Sequence, residues 1–227
     1  MIRRLWLIAR SVLIEAVRRR EVYVIVLLST LLIGAVMTVD FFKVEGLTKF
    51  YREVALRVMS AATALMVIVL AARQLPREFE NRTIYPLLAK PISRPAFLLG
   101  KLFGVMLAAA FCFGLFMAVY LCGAMYLGGR GAIPWGLFAQ YIYLQMIQML
   151  ILSTLCFWLS RLFNLDAAIT LGVIFYATSA TLSTAVSYIY DFVGAAAQLV
   201  MRVLTWAIPQ LMLFDLSGKT VHSTFWK

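Results

Sequence analysis

The run Leu98-Leu99-Gly100-Lys101-Leu102 holds the Gly-Lys pair of a phosphate-binding loop. Such a loop needs Gly-x-x-x-x-Gly-Lys-Ser/Thr, in which backbone N–H groups cradle phosphates and the final hydroxyl holds Mg2+. Here leucine stands where the hydroxyl is needed, so any energy from ATP and Mg must come through another chain. His222 is the only histidine. One histidine and no acidic cluster in the apolar runs leave nothing from which to build a metal site. Cys112, Cys122 and Cys156 are odd in number and lie in apolar runs, which suits packing rather than a disulfide framework. Thr178, Ser179, Thr181, Ser183, Thr184 and Ser187 carry hydroxyls, but no histidine stands near to activate them and no carboxylate lies within the run. We expect no catalytic residue and no cofactor on this chain.

Two polar sets remain. Gln140, Gln145 and Gln148 interrupt one apolar run, the last two on one helical face at i,i+3 spacing. With Thr178, Thr181 and Ser187 they either line a path through the membrane or bond between helices, the commoner use, at about 0.6–2 kcal/mol each. The second set is charged. Between Arg77 and Lys101 the sequence REFENRTIYPLLAKPISRPAFLLGK carries Glu78, Glu80, Arg82, Lys90 and Arg94 among three prolines, with apolar runs on both sides.

These residues must be positioned by a membrane-embedded chain. Of 227 residues 63% are hydrophobic and 14% charged, and the mean hydropathy is +0.91. A soluble domain is about half apolar and a quarter charged. The expected fold is an all-α integral membrane protein. The net charge of +11 reflects Lys and Arg flanking spans. It does not point to nucleic acid, because no basic patch is interleaved with stacking aromatics. Five spans are expected, at about 22–39, 54–72, 102–129, 133–160 and 167–190, within one domain of residues 1–227. No span carries a charge deep in the membrane, which argues against a proton- or ion-coupled carrier. Residues 1–20 form an amphipathic helix. Ile2, Leu5, Trp6, Ala9, Val12, Leu13, Ala16 and Val17 share one arc, which suits an interfacial helix on anionic lipid.

Thirteen Lys/Arg fall before the first span, in 73–101 and in the 161–166 link, against four in the 40–53 loop and near Arg130. The N-terminus and the charged segment are therefore expected on the cytoplasmic side. Residues 191–227 contain only a short apolar run broken by Pro209, expected to be an outer interfacial or re-entrant segment. The chain thus has either five spans or a sixth beyond Lys227. Within the charged segment, Thr83 is placed to cap a short helix at 84–89, and Ser93 a second helix that runs through Gly100 and Lys101 into the third span, each with a proline in its first turn. Pro91 disfavours helix at Lys90. The result is a stiff element held sideways between two spans. Gly100, Gly104 and Ala108 follow small-xxx-small spacing, which permits close helix contact within the subunit or across a dimer.

The stretch ENRTIYPLLAKPISRPAFLLGK resembles the first cytoplasmic loop of type-2 ABC transporter permeases of the exporter class. The resemblance rests on Glu80, Arg82-Thr83, Leu87-Leu88, Pro91, Ser93-Arg94 and Gly100-Lys101. It implies a coupling helix that docks into a separate cytoplasmic ABC ATPase, which binds ATP and Mg. It also implies two permease copies per working unit, in the inner membrane. Glu78, Glu80, Arg82, Thr83, Leu87, Pro91, Ser93 and Arg94 would form the docking surface. The family's usual sixth span is not found here. The same loop also fits a scaffold that anchors a soluble partner without transporting anything.

Overall fold

The computed structural model describes residues 2–38, 47–74, 76, 94–128, 135–189, 198–199, 202 and 211–214. Every regular element among them is helical: α1 (Ile2–Val17), α2 (Arg20–Thr38), α3 (Leu47–Gln74), α4 (Arg94–Gly128), α5 (Trp135–Leu162), α6 (Leu165–Ile189) and a 3-10 turn, Leu211–Phe214. An all-α membrane protein is thus what the chain folds into. Four helices are long and apolar enough to cross a membrane, with stretches Tyr51–Gln74, Pro95–Met125, Trp135–Leu162 and Leu165–Leu182. The apolar part of α2, Val22–Ala35, is shorter. As a 19-residue helix, α2 is about 28 Å long, close to the ~30 Å of a hydrocarbon core.

Two helices start earlier than their apolar runs. α3 begins at Leu47 rather than 54, because charge ends a hydropathic run but not a helix. Arg57 there pairs with Glu53 one turn back, at 2.8 Å. α4 begins at Arg94, ahead of its apolar run at 102 and where a helix following Ser93 is expected to start, with Pro95 in its first turn, where a missing N–H does no harm. Its 35 residues make a rod of about 52 Å, so it must protrude or tilt.

α3 is the central helix and touches α2, α4, α5 and α6. Tyr51, Leu56, Met59, Met66, Ile68 and Leu70 on it are fully buried. Side-chain contacts fix the directions of the neighbours. Tyr51 stacks on Tyr120 at 6.4 Å, while Gln74 meets Lys101, so α3 and α4 are antiparallel. Phe113 meets Tyr141 and Met106 meets Ser153, so α4 and α5 are antiparallel. α5 and α6 form a hairpin with only Phe163 and Asn164 between them. Asn164 is a good N-cap: its carbonyl accepts from Ala168 N–H at 2.9 Å. Arg161 in the last turn of α5 and Asp166 in the first turn of α6 complement the helix dipoles.

Candidate functional site

The ends of α3 and α4 that bracket the charged segment are fastened together. Lys101 is only 5% exposed, although the sequence placed it at a loop boundary. Because α4 begins at Arg94, the lysine falls about two turns inside the helix. Its Nζ donates to Gln74 Oε1 at 3.1 Å and lies 5.6 Å from the centre of the Phe97 ring. A buried ammonium needs such compensation, here a hydrogen bond and a cation–π contact. Lys101 belongs to the apolar stretch Pro95–Met125.

α1 braces the same joint. Ala9, Val12 and Ala16 are buried, and α1 packs chiefly on α4. A Cβ placed on Gly104 would lie 2.7 Å from Val12 Cβ and 3.0 Å from Ala9 Cα, and one on Gly100 would lie 3.2 Å from Ile8 Cγ2. Gly100 and Gly104 of the small-residue stripe thus seat the N-terminal helix of the same subunit. Part of the apolar arc assigned to lipid is turned onto protein instead, while Trp6, Leu7 and Ile14 stay exposed.

Of the expected docking residues, Arg94 heads α4. Glu78, Glu80, Arg82, Thr83, Leu87, Pro91 and Ser93 lie outside the described residues. The structure fixes where their segment leaves α3, at Gln74, and where it joins α4, at Arg94, about two turns before the Lys101 that bonds Gln74.

The other expected set divides. Gln145 is 0% and Gln148 2% exposed, on the inward face of α5 with Tyr141, Leu152 and Cys156. Neither the oxygen nor the nitrogen of the Gln145 amide has a hydrogen-bond partner, nor does Gln148 Oε1. Burying such groups unpaired costs about 1–3 kcal/mol each. Their depth follows from the contacts on either side. Tyr141 donates to Leu56 O at 3.1 Å, and Gly172 brings Ile68 and Cys156 together. Ser60 and Thr63 of α3, both buried, lie between those levels. Two nearby hydroxyls turn to their own helices. Thr63 donates to Met59 O at 2.5 Å, and Ser153 to Leu150 O at 2.9 Å.

On α6, Thr181 is exposed and donates to Ala177 O at 3.0 Å, while Thr178 is half-buried. Ser187 lies in the last turns of α6. These three are not gathered with the glutamines by any described contact. Ser179, one of the six hydroxyls of this run, bonds far along the chain. Fully buried, its Oγ accepts from Leu211 N–H at 2.7 Å. Leu211 is buried too, and its 3-10 turn packs on α5 and α6.

A family model described as ABC-2 family transporter protein matches residues 16–194, more than half of the chain. No curated protein matches it. The matched region runs from the end of α1 past α6 and includes the charged segment, its clasp and the buried amides. The chain belongs to the ABC-2 transporter family, and is a type-2 ABC permease, the membrane subunit of an ABC transporter.

Proposed function

We propose that this permease serves an ATP-driven exporter and that residues 73–101 couple it to a separate cytoplasmic ABC ATPase. Glu78, Glu80, Arg82, Thr83, Leu87, Pro91, Ser93 and Arg94 dock the ATPase, which binds ATP and Mg. A second permease copy completes the assembly. The protein lies in the inner membrane with its N-terminus cytoplasmic, and residues 191–227 form a re-entrant or interfacial segment on the outer side. The observation that carries the reading is the clasp. The segment emerges from two spans joined by Lys101 and Gln74 and braced by α1, so a push on it moves three helices together. The distribution of Lys and Arg supports the side assigned to it.

The test is recruitment. In a Glu80→Arg/Arg94→Glu variant the chain should melt at the wild-type temperature, yet co-purify with its ATPase at least tenfold less well. Undiminished co-purification of that variant refutes the docking surface.

A further inference from the structure

The unpartnered amides inside the bundle point to a ligand. We propose that Gln145 and Gln148 form a binding site for an uncharged hydrogen-bonding group of the transported molecule, a hydroxyl or an amide, closed in the present packing and opened when α3 and α5 part. The inference rests on the permease reading above and adds to it the chemistry of the cargo.

Three observations support the site. First, the Gln145 amide is fully enclosed with both its donor and its acceptor unmatched. Buried polar groups in native proteins are nearly always paired, so an exception calls for a specific cause, and a ligand is one. Second, two of the hydroxyls at this depth, those of Thr63 and Ser153, donate to their own backbones rather than to the amides. Residues 106–113 of α4, which face this part of α5, offer no polar side chain except the thiol of Cys112. Among the described residues no side chain bonds the Gln145 amide, and we take its partner to come from outside the bundle. Third, the residues at this level of α3, α4 and α5 carry no charge, so a charged ligand would be buried without a counter-ion. A primary amide offers two donors and two acceptor lone pairs, which matches neutral hydroxyl and amide groups.

The experiment uses the full chain in lipid nanodiscs with its ATPase. Gln145→Met removes the orphaned amide at nearly equal volume. If the amide is vacant, this variant melts a few degrees above wild type. If it melts at or below wild type, the amide already has a partner and the site is lost. The second arm uses Gln145→Cys and Gln148→Cys, with modification at each position read by mass spectrometry of its peptide. The probes are 2-hydroxyethyl methanethiosulfonate, which is neutral, and its anionic sulfonatoethyl analogue. The neutral reagent should label at least tenfold faster than the anionic one, and faster with Mg-ATP than without. No labelling of either variant under any condition overturns the proposal. Neutral-selective labelling that ignores nucleotide keeps the ligand site and counts instead against ATP coupling. The melting arm needs no ATPase, so the two readings fail separately.

Discussion

Gly104 and Lys101 share one turn of α4, and substitutions at the two positions disturb different things. At Gly104 a side chain meets the Ala9 backbone, which cannot rotate aside. Gly104→Leu should therefore lift α1 from its seat, at about 1–3 kcal/mol. The expected readout is a lower melting temperature together with faster proteolysis within residues 2–17. Lys101→Met keeps much of the volume but leaves Gln74 Oε1 without the hydrogen bond that joins α3 to α4. We expect normal ATPase recruitment with ATP turnover reduced severalfold, measured in the reconstituted complex. Wild-type turnover in that variant would mean that the clasp is ornamental. Neither role is visible in the sequence. Small-xxx-small spacing announces a close contact but not its partner, since that depends on which helix the fold brings alongside. Lys101 reads as a boundary charge because hydropathy stops at it, whereas the helix has already made two turns. The glutamines were legible as polar residues on one face. Their want of partners was not, because it depends on where Thr63 and Ser153 direct their hydroxyls.

At the scale of elements, runs without charge locate the helices but misplace their ends, as the early starts of α3 and α4 show. Periodicity found α1, yet it could not divide the apolar arc between lipid and α4. The short turn at Leu211–Phe214 was harder still, since it is held by a serine thirty-two residues away, and local patterns do not report such contacts. Within a membrane a backbone N–H needs an acceptor from the protein itself. Ser179→Ala removes that acceptor. The expected cost is about 1–3 kcal/mol, seen as faster hydrogen exchange at the Leu211 amide. Unchanged exchange at Leu211 would show that another group accepts its hydrogen. The α5–α6 hairpin should be more tolerant. Asn164→Ala loses one cap, at about 1 kcal/mol, and should lower the melting temperature without changing recruitment of the ATPase.

For the whole molecule, the alternation of helix directions and the bias of thirteen basic residues against four make one prediction about sidedness. Single cysteines introduced in 1–20 or 77–93 should resist an impermeant maleimide in intact cells. One introduced in 40–46 should react. Reaction at 77–93 from outside would put the charged segment beyond reach of any cytoplasmic ATPase. The fastening of α1 to α4 has a further consequence. A free amphipathic helix settles at whatever depth the lipids favour, but α1 is fixed to a rod of 35 residues. It acts as a waterline, holding the bundle at one height in the bilayer. A membrane of the wrong thickness cannot be accommodated by sliding α1 alone, and the mismatch loads the glycine joint instead. Lipid thickness would then act on the same turn of α4 that the proposed coupling segment would pull upon.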